Sequence, residues 1–384
     1  MPSSQPWCRP LVLASAIVLC LTGCSGSEGD PPATTSPTAT PSTSGATSSG
    51  STTPSPSTSS TIPAGSPSDV ATGLEVPWSI AFLPDGDALV TLRDRAEVLR
   101  VTPTGEKSSL GTINGVDAGG EGGLLGIAVS PTFASDQTVH LYFTARDDNR
   151  IVRTTLGADG FTSMTPVLSG IPKAGNHNGG RIAWGPDGFL YVGTGDAAQP
   201  DRAQSETSLG GKILRITADG APAAGNPFNG SPVWSLGHRN VQGLAWGKDG
   251  TMFASEFGQN TWDELNVIVP GKNYGWPEVE GIENREGFVA PIAQWSTSDS
   301  SPSGIAVGAD GAVYMAALRG ESLWRINVAG NRRQGEPIRL LENKFGRIRD
   351  VVSAPDKTLW MLSNNTFRGE PRDGDDRIIR VPIG

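Results

Sequence analysis

From Ser25 onward the chain has no cysteine: its three are Cys8, Cys20 and Cys24. No disulfide can staple that part, so whatever folds there is held by packing. Histidine is almost as scarce, with only His140, His177 and His238, too few for a comfortable three-histidine metal site. Basic residues fall short of acidic ones, 30 against 39, and the formal charge of −9 argues against nucleic acid or another polyanion as a partner. No hydrophobic run is long enough for a spanning helix; the nearest, Leu11 to Leu21, is too short. Long helical periods are few. What the chain has instead is glycine, 50 residues, and proline, 30, as turn-rich sheet requires.

The N-terminus reads as targeting rather than fold. Arg9 gives a thin basic start, the short apolar run follows, and Leu21-Thr22-Gly23-Cys24 resembles a bacterial lipobox, whose cysteine is lipidated and becomes the mature N-terminus. Beyond Cys24, up to residue 69, the chain is almost wholly Ser, Thr, Pro, Gly and Ala, a composition that buries no core and stays extended as a tether. The expected organisation is a lipoprotein signal peptide at 1–23, lipidated Cys24 with its linker to 69, and one large domain over 70–384. Such a protein is exported and anchored to the outer face of the cell membrane by its lipid alone.

Within the large domain one phrase recurs six times: an apolar run, a turn built on Pro-Asp-Gly or a close variant, and a second apolar run. Its copies begin at Ile80, Ile127, Ile182, Leu244, Ile305 and Val351. Each is short, β-branched and turn-punctuated, which suits a tight antiparallel hairpin. A second phrase follows most copies, as in Val98-Leu99-Arg100-Val101 and Ile213-Leu214-Arg215-Ile216; Leu265-Asn266-Val267-Ile268 takes its place in the fourth. Units about 45–60 residues apart, each with three or four strands, are blades of a propeller. The expected fold is all-β, a closed six-bladed β-propeller of antiparallel four-stranded blades with essentially no long helix.

Propellers carry function on loops at one mouth of the central channel. Four stretches break the repeat, 120–126, 175–181, 237–240 and 256–276, and a basic group, Arg319, Arg347 and Arg349, comes late. His140 lies in an apolar strand and reads as structural. His177 sits in a loop just before a strand, where a neutral imidazole can act as a general base; a plain turn histidine is the other reading. Asp196 ends the next hairpin and can meet His177 at the mouth, fixing its tautomer, unless it merely caps a turn. His238 has no evident role. The run Glu256 to Glu264 brings backbone carbonyls and hard carboxylates together, which suits Ca²⁺ but matches no EF-hand spacing.

Together these motifs resemble the soluble pyrroloquinoline quinone (PQQ) dependent glucose and aldose sugar dehydrogenases, in order, from Gly73 to Val381. The anchors are Gly122-Gly123-Leu124-Leu125-Gly126, His177 with Gly180-Arg181, Gly211-Lys212-Ile213-Leu214-Arg215, Gly237-His238-Arg239-Asn240, Lys272-Asn273-Tyr274-Gly275-Trp276-Pro277 and Arg347-Ile348-Arg349-Asp350. The resemblance implies oxidation of an aldose at C1 to its lactone, with electrons passed on to an external acceptor, a quinone or redox protein. It makes His177 the base on the anomeric hydroxyl, Asp196 its orienting partner, and Arg239 and Asn240 the contacts to the quinone oxygens. Arg319, in place of a family lysine, joins Arg347 and Arg349 as cofactor-binding residues. The carbonyls of Gly258 and Gln259 hold Ca²⁺ beneath the quinone, and Glu264 and Tyr274 match a second, structural calcium site.

Three departures stand out. Glu121 replaces a glutamine of the glucose enzymes and adds an anion beside a tricarboxylate cofactor, weakening its binding unless Arg319 or Ca²⁺ neutralises it. Asn176 replaces an aspartate beside the base, and Asn364 replaces another carboxylate near the site. Residues 197–210 are short, and an open site favours a broad aldose range. Two other readings stand beside this one: a propeller without cofactor that only binds, and a calcium-dependent lactonase-type hydrolase, which would need metal-ligating carboxylates on the channel axis.

Overall fold

A computed structural model describes residues 65–383. Cys24, the expected signal peptide and most of the expected linker lie outside the described residues.

Six antiparallel sheets follow one another along the chain, each with a path of four strands; the second carries a short fifth strand, Gly160–Phe161, off that path. Their innermost strands are Pro77–Phe82, Leu124–Val129, Ile182–Trp184, Val241–Trp246, Pro302–Val307 and Ile348–Ser353. Each of these contacts the innermost strands of the sheets on either side, and the first contacts the sixth, so the ring closes. The sixth blade takes its outer strand from the other end of the domain: Ser68–Ala71 pairs antiparallel with Ile378–Val381, Ser68 opposite Arg380. Ser68 and Asp69, which composition assigns to the linker, already belong to this strand. Joining the two chain ends in one sheet removes the open edge that a ring of blades would otherwise leave. The described residues contain two helices of four residues each, Phe133–Asp136 and Asp201–Gln204.

The period of two along a strand explains the packing. Successive side chains point to opposite faces of a blade, and both faces are covered, so the strands read as nearly unbroken apolar runs. Leu89 enters the core between the first and second blades, while its neighbour Val90 enters the one between the first and sixth. Likewise Ile213 faces the fourth blade and Leu214 the second.

The recurring turn is a side-chain-capped hairpin. In the first copy Leu83 N–H donates to Asp87 O (2.8 Å) and Gly86 N–H to Leu83 O (3.0 Å). Gly86 has φ +94°, a conformation glycine adopts without steric cost. The turn aspartate accepts from the N–H two residues on: Asp85 from Asp87 (3.1 Å), Asp249 from Thr251 (3.0 Å), Asp356 from Thr358 (3.0 Å). The arginine of the second phrase then pairs with the same aspartate, Arg100 with Asp85 (2.6 Å), Arg215 with Asp187 (2.8 Å) and Arg325 with Asp310 (2.9 Å). These repeated arginines are framework. Their turns join first to second strands, so in an antiparallel blade the second-to-third and blade-to-blade loops emerge at the opposite face. The stretches 120–126, 175–181 and 237–240 and the turn after Phe257 lie there, and 271–276 climbs to the same mouth alongside Val233–Leu236.

Candidate active site

The geometry centres on Asp196, which is fully buried. Its Oδ1 accepts from His177 Nδ1 (2.8 Å) and from Ala198 N–H (2.8 Å), and its Oδ2 accepts from Trp276 Nε1 (2.8 Å). With Nδ1–H donating to a carboxylate, the neutral imidazole keeps its free lone pair on Nε2. Close main-chain contact makes this possible: a Cβ at Gly195 would lie 1.9 Å from His177 O. His177 itself holds φ +55°, and its N–H donates to Glu121 Oε2 (3.2 Å).

Beside this pair a cavity of about 170 Å³ is lined by Glu121, Arg347, Arg349 and Arg368 with Trp78 and Phe367 among its walls. Arg349 is buried and has no carboxylate partner among the described residues; its bonds go to Gln242 Oε1 (3.1 Å), Ser303 Oγ (3.3 Å) and Asn364 Oδ1 (3.4 Å). Burial first, then the charges of Arg93 and Arg347, push its guanidinium down to about 9. Burial also lowers Arg347 and Arg239. Among the described residues five buried N–H donors at this mouth have no acceptor: Arg239 Nε, Asn240 Nδ2, Arg347 Nε, Arg349 Nε and Asn364 Nδ2. Each such group costs about 1–3 kcal/mol if left unpaired. All five are donors, so the group that fits them is rich in acceptors and negatively charged.

Arg239 stands one step aside, its N–H held by Glu256 Oε2 (2.9 Å), its Nη1 donating to Phe257 O (3.3 Å), and its guanidinium 5.4 Å from the Trp276 ring. Asn240 Oδ1 accepts from Gly179 N–H (2.9 Å), which ties the His177 loop to the next blade. Arg319 is exposed at the rim, and only its charge reaches Arg347. Glu121 pairs not with Arg319 but with Arg368, whose Nη1 donates to its Oε1 at 2.9 Å. No motif pointed to Arg368, which lies in a loop outside the repeat. Trp276 was legible as a motif residue without a role. The remaining histidines are structural. His140 is buried with Nε2 against Ala218 O (3.0 Å), and His238 spends both nitrogens on Ser235 Oγ (2.8 Å) and Glu256 Oε1 (2.9 Å).

Two spots fit a hard cation. The loop after Phe257 wraps Glu280 Oε1, which accepts from the N–H groups of Gln259 (2.7 Å), Asn260 (3.3 Å), Thr261 (3.2 Å) and Trp262 (3.1 Å). Among the described residues the carbonyls of Gly258 and Gln259 accept no hydrogen bond, as free ligands would not. Behind them Glu264 and Tyr274 meet in a small cavity with Glu256 and Glu280. Burial, then the charge of Glu256 beside it, holds the Glu264 carboxyl well above the usual carboxylate range. The Tyr274 hydroxyl donates to Val267 O (2.7 Å) and accepts from Val269 N–H (2.8 Å), which leaves its main-chain carbonyl for a metal. No group of three or more His, Cys, Asp or Glu side chains among the described residues is placed to hold a metal.

Lys212 supports the site from behind. Its buried ammonium donates to Arg202 O (2.6 Å), Ala203 O (3.0 Å) and Gly210 O (2.8 Å), fastening the short 201–211 segment beside Asp196. Burial without a carboxylate partner lowers it to about 7. The unfolded chain keeps that proton up to about 10.4, so between these values it binds more protons than the folded protein, and folding stability rises with pH. Lys212→Met is expected to flatten that rise, read by urea unfolding at pH values from 7 to 10. A slope equal to wild type would contradict it.

A family profile described as Glucose / Sorbosone dehydrogenase matches residues 74–369. The fold superposes on the PQQ-bound aldose sugar dehydrogenase of Streptomyces coelicolor with a TM-score of 0.81 and 53% identity, covering 83% of this chain and 98% of that one. An aldose sugar dehydrogenase of Escherichia coli is 30% identical over 328 residues, 76% of this chain and 88% of the relative. Quinoprotein glucose dehydrogenase B of Acinetobacter calcoaceticus is 32% identical over 283 residues, 62% of this chain and 59% of the relative. The chain belongs to the glucose/sorbosone dehydrogenase family.

Proposed function

We propose that this protein is a PQQ- and calcium-dependent aldose dehydrogenase that oxidises the sugar at C1 to the lactone. The observation that carries the reading is the set of five unpaired donors beside the His177–Asp196 pair. PQQ, when bound, supplies three carboxylates to such donors and a quinone that takes up a hydride. Arg347 and Arg349 would hold the carboxylates by guanidinium forks, and Arg239 and Asn240 would donate to the quinone oxygens. The Gly258 and Gln259 carbonyls would hold the Ca²⁺ that polarises the quinone, and Glu264, with Glu256 and the Tyr274 carbonyl, a second, structural Ca²⁺.

His177 Nε2 takes the proton of the anomeric hydroxyl while the C1 hydrogen leaves with its electron pair. Asp196 stabilises the imidazolium that results, and Trp276 keeps the second carboxylate oxygen from turning away. The electrons then pass to an external quinone or redox protein. The short 197–210 segment supports a broad aldose range, and Leu21 to Cys24 supports export and lipid anchoring.

The apo-protein is expected to reduce a dye with aldoses only when both PQQ and Ca²⁺ are supplied, and to lose that activity to a chelator reversibly. Dye reduction without PQQ, or none with both present, would contradict the reading. A purely binding propeller has no use for a buried carboxylate that orders an imidazole, and a hydrolase has none for the unpaired guanidinium of Arg349.

A further inference from the structure

Among the described residues Glu121 is the one carboxylate on the wall of the cavity, and both its oxygens are engaged: Oε2 with His177 N–H at 3.2 Å, Oε1 with Arg368 Nη1 at 2.9 Å. Arg368 lines the same cavity as Arg347 and Arg349, and its charge lowers Arg347 after burial has done so. Its location follows from the loop that carries it. Arg368 has φ +59°, a strained conformation for a residue with a side chain. Gly369 next to it is pressed against the site: a Cβ there would lie 2.7 Å from Arg347 Cδ. Phe367 is held between guanidinium groups, Arg93 at 3.7 Å and Arg368 at 4.9 Å from its centroid. An exposed ion pair is worth little as stability, so that alone does not account for a strained loop aimed at a cavity.

We propose that Arg368 is a third carboxylate-binding arginine of the PQQ site, parked on Glu121 and able to turn to an entering carboxylate. The inference rests on the PQQ reading above. Its physical basis is charge. Without Arg368, Glu121 would present an uncompensated anion to a tricarboxylate at the place where glutamine would be neutral. With it, Glu121 can keep its bond to His177 N–H while the guanidinium serves the ligand, so occupancy of the cavity and the position of the His177 loop share one residue.

The test is titration of PQQ at fixed Ca²⁺ into wild type, Arg368→Gln, Glu121→Gln and the double variant, followed by the absorbance of the bound cofactor and needing no turnover. Arg368→Gln is expected to weaken binding by at least 10-fold, because it removes a cation and frees the Glu121 charge. The double variant is expected to bind more tightly than Arg368→Gln, since the freed charge has gone too; a merely structural loop residue would not be rescued this way. Wild-type affinity in Arg368→Gln, or a double variant no tighter than it, overturns the proposal alone. Failure of wild type to bind PQQ at all overturns the cofactor reading and this proposal with it.

Discussion

His177→Asn is expected to lower aldose oxidation by roughly 10²–10⁴-fold at saturating cofactor and sugar, the range for loss of a positioned general base. In barrier terms that is about 3–5 kcal/mol. Asparagine is the right replacement because His177 holds φ +55°, and asparagine tolerates that region better than most residues. Asp196 keeps its bonds from Ala198 N–H and Trp276 Nε1, so the pocket stays ordered. Affinity for PQQ and Ca²⁺ should therefore hardly change, and steady-state kinetics beside a PQQ titration separates the two effects. Wild-type turnover in this variant would mean that the imidazole is not the base, and the binding-propeller reading would move ahead.

Arg349→Met is expected to do the opposite. Losing one partner of a buried charged pair costs about 2–5 kcal/mol, or roughly 30-fold to several-thousand-fold in PQQ affinity, and turnover should recover at high cofactor. The apo-protein, by contrast, should be no less stable than wild type. Its Arg349 is desolvated, pushed down to about 9 by burial and by the nearby charges of Arg93 and Arg347, and bound only to neutral acceptors. Replacing a strained cation by an apolar side chain removes that penalty. Urea unfolding of both apo-proteins reads it directly. A large loss of apo stability would show that Arg349 is framework, like the arginines of the blade turns.

Those turn arginines show how far sequence carries. The six blades were legible because each hairpin needs the same chemistry, an aspartate to cap the turn and, in most copies, a glycine for the left-handed residue; even the sixth copy, where Lys357 takes φ +67°, keeps its Asp356 cap. The outer strand of the sixth blade was not legible, because Ser68–Ala71 is an edge strand of small and polar residues at the end of a Ser- and Pro-rich stretch. Its identity lies in its partner at Ile378–Val381 and not in its own pattern.

The site divides in the same way. His177 and Asp196 could be paired on paper because both lie next to strands whose order in the ring follows from the repeat. The counter-ion of Glu121, Arg368, was not legible because it lies far along the chain in a loop with no repeat to place it. Trp276 likewise reaches Asp196 from another blade, a contact that periodicity cannot express.

The most direct measurement is anaerobic mixing of wild-type protein loaded with PQQ and Ca²⁺ against an aldose and its C1-deuterated form, following the absorbance of the bound cofactor. The bound quinone is expected to be reduced in a single turnover, more slowly with the deuterated sugar and hardly at all in His177→Asn. An unchanged spectrum, or reduction at equal rates with both sugars and in the variant, would contradict C1 oxidation driven by this site.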